Sequence, residues 1–481
     1  MAMNTEFLKA QNIDLTTSTL PKDLKSEWLA EIDKQLVAAE EAESGLSYVS
    51  ACGTEEARKL IGSYYTPIDV ARFFWCEFFD FWGIQSPAQA ERFLRTHKFV
   101  EPSVGAGALF FALLEKLASA GAPPELLAII DAEFVDINDE ALKFVRERIG
   151  QLENAWGLRF ANLRFIHQDF RDVKFDTSDK PRIFFGNPPF VTNPRGASRW
   201  KNLFADFVEV SLSAAGPDGA VHYILPLSLA FSRDYQDLRR ILRERRARIQ
   251  LSHFDNIPDT LFKSGKPLHT NTNKANSQRC TLLSVVPGSE FKVVSTPLLR
   301  WSKGQRSDVL GKSPQYFDVS AYAFDDQFPR PRNERVLHYL EQCKKAPRLG
   351  SLIERGGSQS VLVAGVARNY IGIRATPGSG VHDLQFDSKD DALKAIAIIS
   401  SDLFFDYWLS VGDGFHLTKS NILEFPVHSA LQQTLSARLP EFHKTWRNRK
   451  KYQKSKLNSG HETKSYDFSD AFPSLYISRV F

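Results

Sequence analysis

Residues 182–191 read RIFFGNPPFV. The run Arg182–Gly186 is short, apolar and closed by glycine, which is the pattern of an interior strand in an α/β sheet. Pro188 and Pro189 carry no N–H and hold φ at about −65°, so the strand has to end at Asn187. Asn-Pro marks turns in general, but this corner offers more than a turn. Pro189 forces Pro188 into an extended conformation, leaving the Asn187 amide oxygen and the Pro188 carbonyl as acceptors with few competing donors. Phe190 adds a flat apolar face on which a ring can stack. Together these residues describe a clamp for an exocyclic amine on a planar heterocycle.

Outward from this corner, the chain alternates helix-like and strand-like segments from about Ile61 to Pro287, which predicts a mostly parallel sheet with flanking helices. Seven short strands are expected: Phe99–Val100, Ala132–Asp136, Arg164–His167, Ile183–Gly186, Ala220–Leu225, Ile249–Phe254 and Thr281–Val286. Trp28–Ala42 repeats apolar residues at helical spacing, so residues 1–55 read as a helical segment and 56–290 as the main α/β domain. Proline and polar residues thicken between Ser302 and Arg332, which marks 291–332 as a linker before a mixed domain over 333–481.

The totals bound the class. With 481 residues, 43% hydrophobic and 25% charged, the chain is expected to be globular and to form two or three domains. MAMNTEFLKA lacks the apolar core of a signal peptide. The aromatic run Phe73–Trp82 is too short to span a bilayer and contains Glu77 and Asp80, so it reads as a core helix and no membrane is expected. The four cysteines are scattered without ligand spacing, so neither metal nor disulfide framework is indicated, and a reducing cytoplasm is expected. The net charge of +4 is small but uneven. Glu441–Lys456 holds seven Lys/Arg against one acid, with Trp446 and Tyr452 interleaved, a cluster suited to phosphates through Arg447, Arg449 and Lys450. Arg239–Arg248 is also basic and reads as the exposed face of a helix between two strands.

Upstream of the amine corner, Phe99–Phe110 reads FVEPSVGAGALF. Gly105 and Gly107 permit a tight turn and close approach by a ligand at a strand's carboxyl end. The spacing is not GxGxxG and Glu101 stands in front, so a ligand bearing an amino group fits better than a dinucleotide phosphate. Asp136 ends the next strand, placed for ribose hydroxyls. Asp169 in FIHQDF ends the one after, followed by Phe170. Successive strand ends therefore present a glycine loop, two acids and the amine clamp.

EPSVGAG, VDIND, HQDF and NPPF in this order, preceded by GSYYTP at Gly62–Pro67, resemble the motifs of S-adenosylmethionine-dependent DNA adenine-N6 methyltransferases of restriction-modification systems, in the gamma arrangement. The resemblance covers Ile61–Val286, about half of the chain. It implies a Rossmann-like seven-stranded methyltransferase sheet followed by a C-terminal mixed target-recognition domain. Thr66 and Glu101 would hold the methionine end of the cofactor, with Tyr65 in the same set and Gly105 and Gly107 beneath it. Asp136 would take the ribose, Asp169 the adenine amino group, and Phe170 and Phe207 would pack around the adenine. Asn187 and Pro188, hinged by Pro189, would clamp the target N6, with Phe190 stacked on the flipped base. Phe262 in NIPDTLF would be the second aromatic wall. The insertion Lys263–Arg279 exceeds the family's usual spacing there and leaves His269 as a substitute. Val361–Pro426 is similar to target-recognition regions, with Arg368, Asn369, His416 and Lys419 as readers of base edges.

The activity implied is methyl transfer from S-adenosylmethionine to N6 of an everted adenine in double-stranded DNA, within a restriction-modification or related defence system of a bacterial cytoplasm, near the nucleoid. No acidic-plus-lysine cleavage motif stands out, so a cognate restriction endonuclease is expected on a separate chain. Two alternatives stay open: an RNA or protein-glutamine N-methyltransferase, and a modification subunit active only beside a partner chain.

Overall fold

The sheet forms around strands that have no solvent-facing side. A computed structural model describes residues 22–44, 66–175, 180–193, 196, 198–245, 247–262, 278–322, 326–353, 357–458, 461–472 and 474–475. Strands β1 (Lys98–Glu101), β2 (Asp131–Asp136), β3 (Asn162–His167), β4 (Arg182–Gly186), β5 (Ala220–Pro226), β6 (Ala247–Phe254) and β7 (Cys280–Pro287) fall where the seven expected strands lie. Their order is β3-β2-β1-β4-β5-β7-β6. β1 to β5 pair in parallel, while β7 runs antiparallel to both β5 and β6. These seven strands run in the expected Rossmann-like order with the last one reversed. Every residue of β4 and β5 is buried, which is why RIFFG and AVHYILP are mostly apolar, with Arg182 and His222 as the buried exceptions; β3, at the edge, is half exposed and correspondingly mixed.

Helices flank these strands. α1 (Lys22–Ser44) extends beyond the expected Trp28–Ala42 at both ends. α2 (Ile68–Trp82) carries the aromatic run, and Phe73, Phe74, Trp75, Phe78 and Phe79 are all buried. Among the described residues no helix is long and apolar enough to cross a membrane. α3 (Pro87–Thr96) starts at Ser86, whose hydroxyl accepts from the Gln89 N–H. α4 (Ala108–Ser119) receives the Trp75 indole N–H at the Leu109 carbonyl, 2.7 Å away. α5 (Asp139–Trp156) and α6 (Leu203–Ala214) are capped by Asn138 and Asn202.

The chain divides into two interleaved units: Met1–Leu229, Arg240–Val293 and Arg300–Pro314 form the first, and Ala230–Arg239, Val294–Leu299 and Gln315–Phe481 the second. The segment 291–332, expected as a linker, carries strand β8 (Lys292–Leu299), which pairs antiparallel with β9 (Phe317–Asp318). Its β-branched Val293, Val294 and Thr296 favour a strand despite the proline and polar content around them. The Arg239–Arg248 expectation is also corrected. Within α7 (Gln236–Glu244) only some of the arginines face water: Arg239 is 1% exposed and donates to the carbonyls of Asp326 and Ser232, both at 2.8 Å. Arg245 donates to the carbonyls of Leu212 and Gly216. A guanidinium is tolerated inside when its N–H groups find carbonyls.

The second unit holds α8 (Glu334–Gln342), β10 (Gln359–Ala364), β11 (Ile373–Arg374), β12 (Val381–Phe386), α9 (Lys389–Ile399), α10 (Asp402–Val411), α11 (Leu439–Arg447), β13 (Gln453–Asn458) and β14 (His461–Tyr466). Its five-stranded antiparallel sheet has the order β12-β10-β11-β14-β13. Phe425 centres one core, with ring centroids 5.1 Å from both Phe404 and Tyr407.

His222, in the middle of β5, is fully buried between the Phe74 carbonyl (2.8 Å) and the Ser284 hydroxyl (2.9 Å). Burial pushes its pKa down to about 3. The unfolded chain then takes up this proton first as pH falls below about 6.5, so His222 costs stability at about 1.4 kcal/mol per pH unit until the folded pKa is reached. Denaturant titrations across this range should show that slope, and His222→Gln should flatten it.

Candidate functional site

Strand order reverses at β1: the chain proceeds from β1 to β2 and β3 on one side, then returns to β4 on the other. Such a switch point leaves a crevice beyond the carboxyl ends of the two central strands. The register Lys98↔Arg182, Phe99↔Ile183 and Val100↔Phe184 brings the loop after Glu101 level with the corner after Gly186.

The loop after β1 is shaped by its glycines. Gly105 (φ 54°) and Gly107 (φ 79°) are left-handed. A Cβ on Gly107 would stand 3.1 Å from Val145 Cγ2 and 3.2 Å from Phe111 Cε2, so a side chain there would press these neighbours by a few tenths of an ångström on top of its strained positive φ. Asp136 fastens this loop to β2: its carboxylate accepts the Gly105 N–H at 3.1 Å and the Asn138 N–H at 2.9 Å. Burial pushes the Asp136 pKa up, against the pull of these N–H groups. Glu101, 2% exposed, closes β1 beside them.

Asp169 follows β3 by two residues and caps a short 3₁₀ turn. Its two oxygens are already forked by a guanidinium: Arg171 Nη2 to Oδ2 at 2.7 Å and Nε to Oδ1 at 3.0 Å, with Arg171 Nη1 continuing to Asn193 Oδ1 at 2.9 Å. The acid that resemblance assigns to an adenine amine is thus shared with a cation of its own turn. Phe170 and Phe207 lie 4.8 Å apart between centroids, 1% and 5% exposed, and pack on each other.

At the corner itself, Asn187 Nδ2 donates to Thr66 Oγ1 at 3.3 Å, and Ser103 Oγ donates to the Asn187 carbonyl at 3.3 Å. The glycine-loop segment, the threonine before α2 and the Asn-Pro-Pro corner therefore form one constellation. With its NH₂ end on Thr66, the amide turns Oδ1 away from that hydroxyl. Pro188 is buried, Pro189 half-buried. The Phe190 and Phe262 rings, 5% and 2% exposed, meet edge to face with centroids 6.2 Å apart and planes at 64°. Phe262 thus reaches Phe190 despite the insertion that follows it. Tyr65 and His269 lie outside the described residues. Ser103 and Arg171 were missed by sequence reasoning. A hydroxyl inside a glycine loop and an arginine two residues after an acid are too common to stand out.

In the second unit, the backbone bonds Ala367 N–H to Phe415 O and Leu417 N–H to Gly365 O, both 3.0 Å, hold two loops side by side. They bring Arg368 and Asn369 next to His416 and Lys419, all four exposed. Arg368 lies over the Phe415 ring at 5.3 Å, His416 Nδ1 meets Asp413 at 2.7 Å, and Lys419 reaches the Asp383 carbonyl at 3.5 Å. Arg449 stacks on Trp446 at 4.9 Å, and Arg447 and Lys450 are exposed. Two further lysines join this surface. Lys454 lies over the Tyr370 ring at 4.9 Å while pairing with Asp467 at 2.5 Å, and exposed Lys456 shares its face of β13, two residues on. The alternation KSK was read as part of a charge run and not as a strand. Among the described residues no group of three or more His, Cys, Asp or Glu is placed to hold a metal ion.

No protein-family model matches the chain, and no curated protein matches it. Among solved structures it is similar to the DrdV–DNA complex, at 13% identity and TM-score 0.43 over 70% of this chain and 38% of that one. A nuclease-deletion mutant of the Type ISP restriction-modification enzyme LlaGI in complex with a DNA substrate mimic gives 12% and 0.42, covering 72% and 42%. A modification subunit of a putative type I restriction enzyme from Vibrio vulnificus gives 15% and 0.36, covering 60% and 63%. The chain thus spans between 38% and 63% of the length of these proteins.

Gly107→Ala forces a side chain into a left-handed position already in contact with Val145, so a loss of about 1–3 kcal/mol is expected in equilibrium unfolding.

Proposed function

We propose that the chain transfers a methyl group from S-adenosylmethionine to N6 of an adenine everted from double-stranded DNA, as the modification enzyme of a restriction-modification or related defence system in a bacterial cytoplasm. The observation that carries the reading is the placement of Asn187: its amide nitrogen on Thr66, its carbonyl on Ser103, and Phe190 meeting Phe262 beyond it. The residues present fit the cofactor. Gly105 and Gly107 turn the loop through positive φ, where backbone can come close to a ligand, and Asp136, bonded to that loop, would take the ribose. Thr66 and Glu101 would hold the methionine end, and Phe170, Phe207 and Asp169 would surround the adenine. When bound, the cofactor supplies a methyl group on a positively charged sulfur.

The chain's own contribution is to make a poor nucleophile better. The lone pair of adenine N6 is delocalised into the ring. Asn187 Oδ1 and the Pro188 carbonyl would accept its two hydrogens, which favours a tetrahedral nitrogen with a directed lone pair. Everting the base costs roughly a few kcal/mol, offset by stacking on an aromatic wall. A base held between two rings needs them near parallel and about 7 Å apart, two contacts of about 3.5 Å each. The edge-to-face pair Phe190–Phe262 has to open to admit it. In the second unit, Arg368, Asn369, His416 and Lys419 would read base edges, and the basic surface from Arg447 to Lys456 would neutralise phosphates.

The test is to incubate the purified chain with labelled S-adenosylmethionine and duplex DNA, RNA or protein, then identify the methylated product by mass spectrometry. N6-methyladenine in DNA is expected; label in RNA or protein, or transfer that appears only after adding a second chain, overturns the reading. Asn187→Ala should bind cofactor with unchanged affinity in calorimetry yet lose about 10²–10³ in kcat. Replacing Lys454 and Lys456 together by alanine should flatten the dependence of log DNA affinity on log salt by about one to two, since each phosphate contact contributes about 0.9.

A further inference from the structure

Arg306 lies in a stretch that composition marks as linker, yet Arg300–Pro314 belongs to the first unit. Its guanidinium, 11% exposed, is spread over two distant segments. Nε and Nη2 grip the Asp69 carboxylate at 2.6 and 3.0 Å. Nη1 donates to the Thr260 carbonyl and Nη2 to the Leu261 carbonyl, both at 2.7 Å. Four of the five guanidinium N–H groups are used, a planar fork that lysine has no means to reproduce.

What the fork joins gives it meaning. Asp69 stands in the first turn of α2, three residues after Thr66, which receives the Asn187 amide. Thr260 and Leu261 immediately precede Phe262, whose ring meets Phe190. Residues 255–262 form neither helix nor strand, so no regular ladder holds them. Arg306 and, beside it, the Trp301 indole, which donates to Asp259 Oδ2 at 3.2 Å, tie them down.

We propose that Arg306 is a positioning residue for the target base: it fixes the backbone beneath Phe262 at a set distance from the Thr66–Asn187 pair. The proposal rests on the methyl-transfer reading above. With that backbone pinned, the closed Phe190–Phe262 contact opens by rotation of a ring, and the ring returns to one defined place against the base. Without the fork, Phe262 moves with a loose segment, and the amine is no longer held at the Asn187 acceptors.

The experiment is a double-mutant cycle on the full chain with duplex DNA, reading kcat, KM for DNA and calorimetric cofactor affinity for wild type, Arg306→Gln, Phe262→Ala and both together. Arg306→Gln is expected to keep cofactor affinity within about twofold and to lower kcat about 100-fold, the loss typical of a misplacement of about 1 Å. Because Arg306 acts through Phe262, the double variant should be no slower than the slower single variant, whereas independent structural damage would multiply the two losses. Arg306→Lys, which keeps the charge beside Asp69 without the fork, should show the same non-additivity and serves should the glutamine variant not fold. An active wild type with multiplying losses, or with Arg306→Gln within about threefold of it, overturns the assignment of Arg306 alone. A wild type that transfers no methyl group to any duplex DNA overturns the reading on which it rests.

Discussion

A primary amide has a donor end and an acceptor end, and at Asn187 the donor end is committed to Thr66 Oγ1. The corner depends on this commitment, because it sets the direction in which the amide is turned. Thr66 is itself 5% exposed, so its hydroxyl is not readily taken over by water. The main chain is held too, since Ser103 donates to the Asn187 carbonyl from the loop after β1. β1 and β4 are neighbours in register, and the loops leaving them cannot avoid each other. The geometry at the corner is therefore inherited from strand pairing, with the two prolines keeping the exit rigid.

The acidic groups around the site are handled unequally. Asp136 is bonded by backbone N–H groups, which orient a carboxylate without neutralising it. Asp169 is neutralised by Arg171 in a bidentate pair. Asp255, at the end of β6 and 2% exposed, is gripped by Arg279 at 2.7 Å and Arg300 at 2.5 Å. Of the three, Asp136 is the one held by backbone N–H groups, while Asp169 and Asp255 pair with guanidinium groups and anchor the turns that carry them.

How much of this was legible follows from what kind of interaction each feature uses. Strands buried on both faces announce themselves as mostly apolar runs, and the half-exposed β3 by its place in the alternation of helix-like and strand-like segments, so all seven were visible, and the Asn-Pro-Pro stop marked the end of β4. Residues at strand ends, such as Asp136 and Asn187, could be placed once the strands were. Long-range forks could not. Nothing near Arg306 in the sequence points to Asp69 or to the carbonyls of Thr260 and Leu261, and nothing near Arg239 points to Asp326. Lys454 and Lys456 looked like part of a polyelectrolyte stretch because two-residue periodicity is hard to see among lysines. The composition of 291–332 suggested a tether because its prolines and polar residues outweigh the short strand-forming segment at its start when a window is averaged.

The interleaving of the two units bears on how such a gene can be rearranged. Residues 294–299 go with the second unit, and 300–314 return to the first. A chain rejoined to a foreign sequence directly after β7 would lose Arg306 and with it the partner of Asp69. Chimeras therefore keep the first unit intact only when the breakpoint falls beyond Pro314 or when the incoming piece brings an equivalent arginine.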